Sequence, residues 1–225
     1  MNGEMISYPV NGNSIPAYLS LPPAGRGPAV VIIQEWWGLV GHIKDVADRL
    51  ASEGFVVLAP DLYHGESASE PNEAKKLAMA MDRQRAIAEI TAAADHLRGL
   101  SNVEPKKVGV MGWCMGGALA LSAAANSSAF DAVVCFYGRP LEAGDVAKLG
   151  VPTLGIYGEL DAGIPLSLVH TFDNELEKNG TPHHIHTYAG ADHAFFNNDR
   201  PEVYHPEASV DAWQRTLAWL RQYLD

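Results

Sequence analysis

From residue 28 to the C-terminus, short apolar runs alternate with segments of helical periodicity, and few folds accommodate that order. Residues 28–34 (PAVVIIQ) are apolar almost throughout, the pattern of a strand covered on both faces. Residues 42–53 then place Ile43, Val46, Ala47 and Leu50 at helical spacing before Gly54 stops them. A second buried strand over 55–59 ends at Pro60. Residues 73–99 read as helix in more than one piece and lead through Pro105 to a strand over 107–111. A small-residue helix over 115–126, strands over 132–137 and 151–157, a helix over 164–179, a strand over 183–188 and an amphipathic helix over 206–224 complete the chain. Parallel strands need helix-length crossovers, so this alternation predicts an α/β fold: a mostly parallel central sheet with helices on both faces. Segments 4–9 and 15–21 have no helix between them and predict an antiparallel N-terminal edge hairpin. No repeat or linker divides the chain, so residues 1–225 are expected to form a single domain.

Composition narrows the function classes. Sixteen Lys and Arg against 27 Asp and Glu give a net charge of −11, which opposes the phosphate neutralisation that nucleic-acid binding requires. No apolar run approaches the ~20 residues of a membrane span. Residues 1–25 show neither a basic start nor a continuous apolar stretch, so no secretory signal is expected. Only two cysteines, Cys114 and Cys135, are present; their context suggests no disulfide framework, and a cytoplasmic protein is expected.

The chemistry concentrates at one turn. The strand over 107–111 runs into Gly112-Trp113-Cys114-Met115-Gly116 and then into a helix rich in Ala and Leu. This is a G-x-S-x-G nucleophile elbow with cysteine in place of serine. A residue in so tight a strand-to-helix turn is strained, and the positions two before and two after it must be small to allow the close approach. The turn presents the side chain above the sheet over a helix N-terminus, which favours negative charge on sulfur. The Met115 N–H would donate to an oxyanion. Cys135, inside the apolar run 133–136, reads instead as a small buried hydrophobe.

The elbow predicts the chain order nucleophile, acid, base, with the last two on loops after later strands. Asp161 follows the strand over 151–157, and His193 follows the strand ending at Tyr188. A base within reach of the thiol, with a carboxylate fixing its tautomer, completes a triad. Other candidates fit less well: His42 and His96 fall on helices, and Glu159 and Asp192 are displaced from the acid position. His64 ends a strand and is a candidate ligand contact. His183, His184 and His186 share one strand, but alternation puts His184 and His186 on one face and His183 on the other. With no Cys-x-x-Cys and no Gly-rich phosphate loop, neither metal nor cofactor is expected.

Several further segments extend the pattern: 34–38 (QEWWG), 60–65 (PDLYHG), 112–117 (GWCMGG), 157–161 (YGELD), 190–196 (GADHAFF) and 200–204 (RPEVY). Together they span nearly the whole chain, which resembles the dienelactone hydrolase (carboxymethylenebutenolidase) family. The resemblance implies an α/β-hydrolase fold and cleavage of a small-molecule ester or lactone through Cys114, His193 and Asp161. It also implies that Glu35 contacts the resting thiol and helps form the thiolate, and that the Trp36 N–H is the second oxyanion donor. One departure stands out. Dienelactone-cleaving members carry a substrate-binding arginine four residues after the base, where this chain has Asn197, and Arg200 comes three residues later. Arg83 and Arg85 are candidates for the family's other substrate-binding arginine. Trp37, Tyr137, Phe195, Phe196 and Asn197 are therefore expected around a more apolar pocket. A monomer or weak homodimer is expected. A thioesterase or acyltransferase on the same fold, and a catalytically silent binding module, stay open as alternatives.

Overall fold

The computed structural model describes residues 3–225, so the first two residues of the expected 1–225 domain lie outside the described residues. Eight strands form one sheet: β1 (Glu4–Val10), β2 (Asn13–Ser20), β3 (Gly27–Ile33), β4 (Val56–Pro60), β5 (Val103–Trp113), β6 (Ala132–Phe136), β7 (Thr153–Gly158) and β8 (His183–Tyr188), in the order β1-β2-β4-β3-β5-β6-β7-β8. β1 and β2 form the expected edge hairpin, and β2 runs antiparallel to β4. Every pairing from β4 through β3, β5, β6 and β7 to β8 is parallel.

The helices α1 (Gly41–Ser52), α2 (Pro71–Ala80), α3 (Arg83–Gly99), α4 (Met115–Asn126), α5 (Ala143–Val146), α6 (Leu166–Asn179) and α7 (Pro206–Leu224) surround the sheet. α1 and α7 cover one face, where Ile43, Val46, Leu50, Leu217 and Leu220 meet Val30, Ile32, Val57 and Val134. α3, α4 and α6 cover the other, with Ile90, Leu97, Leu119, Phe172 and Leu176 against Val31, Ile33, Leu58 and Val110. β3 and β4 are buried at every position. Burying each such Val, Ile or Leu stabilises the fold by roughly 1.5–3 kcal/mol, which explains why the continuous apolar runs became the central strands. This is the α/β-hydrolase fold.

Two elements depart from the sequence reading. β5 begins at Val103 rather than 107, because Val103 pairs with Gly27 before a bulge restores register at Ala29 and Val108. The four-residue α5 is too short to show a period. Among the described residues, no helix is long and apolar enough to cross a membrane.

The carboxyl ends of the parallel strands β3, β5, β6, β7 and β8 share one sheet edge. Gln34–Trp37, Cys114, Tyr137, Asp161 and His193 all follow these ends. In open α/β sheets, this is the edge where ligands bind.

Candidate active site

Cys114 sits between β5 and α4 with φ 54° and ψ −118°, a region that disfavours any residue with a β-carbon. The two flanking glycines make the turn possible. A β-carbon on Gly112 would lie 2.3 Å from the Gly116 carbonyl oxygen, and one on Gly116 would lie 2.4 Å from the carbonyl oxygens of both Ile33 and Gln34. The Cys114 N–H donates to Phe136 O, and its carbonyl accepts from Ala118 N. The thiol is thus held at the start of α4, where Met115, as the first helical residue, has an N–H without an acceptor in the preceding turn.

His193 Nδ1 lies 2.6 Å from Asp161 Oδ2, and His193 lines the same cavity walls as Cys114. Asp161 is buried, and its other oxygen accepts from Gly163 N at 2.9 Å and Ile164 N at 3.0 Å. Burial pushes this carboxyl up, but the hydrogen bond and charge of His193 and the two backbone donors more than offset it and hold Asp161 below its usual range. Burial likewise disfavours the charged imidazole. The hydrogen bond to Asp161, and then the neighbouring Cys114, outweigh it and raise His193 to about 10. Of the alternative acids, Asp192 turns to the His193 backbone N–H, and Glu159 is exposed.

Glu35 is 3% exposed, and burial raises its pKa against the opposing influence of His42, the Asn197 amide, His193 and Arg200. Asn197 Nδ2 donates to its Oε2 at 2.6 Å, and the Tyr137 hydroxyl donates to its Oε1 at 3.4 Å. These are its hydrogen bonds among the described residues. The resemblance implied a contact with the resting thiol, but here the carboxylate is tethered to an amide and a phenol.

Two cavities meet at Cys114, Trp36 and His193. The larger, about 530 Å³, is also walled by Arg83, Met115, Tyr137, Arg139, Asp161 and Ile164. The smaller, about 230 Å³, is completed by Glu35, Trp37, Ala194 and Arg200. The geometry brings together Cys114, Trp36, Met115, His193, Asp161 and Glu35, with Trp37 and Tyr137 beside them.

Three expected ligand contacts lie elsewhere. Phe195 is fully buried beneath Tyr137 and Tyr188, because Ala194 adopts φ 62° and turns the chain back into the fold. Asn197 is 3% exposed, with its amide directed to Glu35. His64 reaches Glu89 on α3 at 3.0 Å and lines neither cavity. Phe196 is likewise buried, against Trp113 and Phe136.

The cations around the site were only partly visible in the sequence. Arg83 faces the larger cavity, whereas Arg85 pairs with Glu89. Arg139 was missed. Arg139 follows β6 directly, so its position after a strand end was the available signal. Arg200 lies over the Trp37 ring at 5.8 Å and pairs with Glu202. The three strand histidines divide as alternation predicts: His184 and His186 stack on one face, while His183 turns to Asp173.

The two cysteines should differ sharply in reactivity. Burial pushes the Cys135 thiol up to about 12, partly offset by its contacts with Tyr157 and Gly138. Iodoacetamide is expected to modify Cys114 in the native protein and Cys135 only after unfolding. Peptide mapping by mass spectrometry checks this, and labelling of Cys135 first would contradict the assignment.

Comparison with known proteins agrees with the fold. The dienelactone hydrolase family model matches residues 15–224. "Protein usf" of Aquifex pyrophilus is 38% identical over 232 residues, covering 99% of each chain. The "Putative carboxymethylenebutenolidase" of Aquifex aeolicus is 35% identical over 231 residues, again covering 99% of each. The crystal structure of a "Putative Dienelactone Hydrolase" from Klebsiella pneumoniae superposes with a TM-score of 0.89 at 31% identity, over 98% of both chains. The chain belongs to the dienelactone hydrolase family and is a hydrolase acting on esters or lactones.

Proposed function

We propose that the protein cleaves a small ester or lactone through a Cys114–His193–Asp161 triad and a thioester intermediate. The observation that carries this reading is the placement of His193, with one ring nitrogen 2.6 Å from Asp161 and the ring beside Cys114 in the walls of both cavities. The Cys114 proton passes to His193, or to Glu35 when substrate loosens its tether, and sulfur adds to the acyl carbon. The Trp36 and Met115 N–H groups hold the oxyanion as the carbonyl π bond opens. Collapse expels the alkoxide, which takes the proton back from the group that received it, and leaves an S-acyl enzyme. His193, oriented by Asp161, then draws a proton from water as the oxygen attacks the thioester, releasing the acid and restoring the thiol. For a lactone, the alcohol and the acid belong to one product.

Asn197 in place of an arginine is the ground for expecting a more apolar pocket. Its burial against Glu35 removes that argument, and the cations lining the two cavities, Arg83, Arg139 and Arg200, favour a substrate bearing a negative charge. A charge-assisted hydrogen bond is worth roughly 1.5–3 kcal/mol, about 10- to 100-fold in KM. Arg200→Ala is therefore expected to raise KM for a carboxylate-bearing aryl ester by that factor and leave a neutral aryl ester little changed. Steady-state kinetics on the two esters test this, and equal effects on both would remove the anionic preference. We further propose a cytoplasmic protein that works as a monomer or weak homodimer.

A further inference from the structure

Three successive carbonyls at the end of β3 are each pinned by a different donor. Gly38 N–H donates to Glu35 O at 3.3 Å, the Tyr63 hydroxyl to Trp36 O at 3.2 Å, and Ala68 N–H to Trp37 O at 2.9 Å. Two of these donors come from the loop after β4, which folds over the loop after β3 and touches it again through a bridge between Gly38 and Ser67. Among the three, only Tyr63 uses a side chain. Its hydroxyl also lies 3.5 Å from Met115 Sδ, so one phenol touches both residues assigned as oxyanion donors. The hydroxyl has a single hydrogen, and the carbonyl oxygen is the stronger acceptor, so the sulfur contact is the weaker of the two.

We propose that Tyr63 is a positioning residue for the oxyanion hole, its phenol clamping the Trp36 peptide against the start of α4 so that the Trp36 and Met115 N–H groups converge over Cys114. The inference rests on the assignment of those two N–H groups. Tyr63 is 8% exposed, and its backbone is anchored: Asp61 Oδ1 accepts the Tyr63 N–H at 3.1 Å, and Asp61 Oδ2 accepts Gly65 N–H at 2.7 Å. Burial, and then the charge of nearby Cys114, push Tyr63 up to about 12, so it keeps its donor hydrogen at working pH. Preorganised donors act only if they are held at the oxyanion position before the charge forms.

Tyr63→Phe removes one oxygen and keeps the ring. Deleting an oxyanion donor outright costs about 10²–10³-fold in kcat, and loosening one is expected to cost less, about tenfold in kcat with KM little moved. The discriminating probe is an aryl trifluoromethyl ketone: the Cys114 sulfur adds to its carbonyl carbon, the π electrons move to oxygen, and a tetrahedral oxyanion forms. Its affinity should fall about tenfold in Tyr63→Phe. Iodoacetamide alkylation of Cys114, a displacement at carbon with no oxyanion, should proceed at the native rate. Unchanged ketone affinity, or equal losses in both reactions, would overturn the role of Tyr63 while leaving the triad intact. A native protein that neither binds the ketone nor hydrolyses esters would instead overturn the reading on which the inference rests.

Discussion

Replacing Cys114 by alanine is expected to lower kcat/KM for an aryl ester by at least about 10⁴-fold, because no other group at the sheet edge can form the acyl intermediate. The variant is a clean test because alanine keeps a β-carbon, so the strain at φ 54° is the same in both proteins. The sulfur is half-buried and packs at the margin of the core. Its loss should shift the unfolding temperature by no more than a few degrees, as expected for about 1 kcal/mol in a chain of this size. Thermal unfolding and steady-state kinetics measured together separate the outcomes. A stable protein with no activity supports the nucleophile, and a stable protein with native activity excludes it. Mass spectrometry adds a direct check: native protein mixed with a slow ester should gain the mass of one acyl group, and Cys114→Ala should gain none.

The parts of this molecule that were legible in the sequence are those whose signals are local. β3, β4 and β6 are buried on both faces, so each is a continuous apolar run. α7 shows its apolar stripe because one face alone meets the sheet. The elbow is legible because its steric demand falls on Gly112 and Gly116, two residues either side of Cys114. Chain order then brought Asp161 and His193 to the same sheet edge. Side-chain direction after a strand end carries no such signal. Ala194 takes a positive φ without being glycine, and that single dihedral decides that His193 faces the cavity while Phe195 enters the core. Asn197 stood at the position of a substrate-binding arginine, yet its amide turns inward to a buried carboxylate, a contact spanning 162 residues. Tyr63 and Arg200 reach the site by folding over it from other loops, and the segments 60–65 and 200–204 that hold them carry the family resemblance without marking which side chain reaches the site.

Asp161→Asn should have the second-largest effect, a loss of about 10²- to 10⁴-fold in kcat, because an amide that donates to Nδ1 selects the wrong imidazole tautomer and no longer stabilises the imidazolium. The pH dependence supplies an independent check. Asp161 is the leading cause holding His193 up, at about 10, so in the variant the ring should titrate back toward the ordinary histidine value near 6.5. NMR of the ring protons reads this directly, and an unmoved titration would show that Asp161 does not orient the base. Stability follows by linkage. A histidine raised on folding contributes stability that is complete below about pH 6.5 and is lost as pH rises toward 10. A carboxylate lowered on folding contributes stability that is present above about pH 3.8 and is lost as pH falls below it. The native protein should therefore exceed Asp161→Asn in stability most clearly between about pH 4 and 6.5, and the gap should narrow on either side. The His193 side chain is about one-third exposed, so solvent screening will keep that gap smaller than the titration shift alone implies. Denaturant unfolding of both proteins across that pH range measures it, and a gap independent of pH would mean that the pair acts through packing rather than charge.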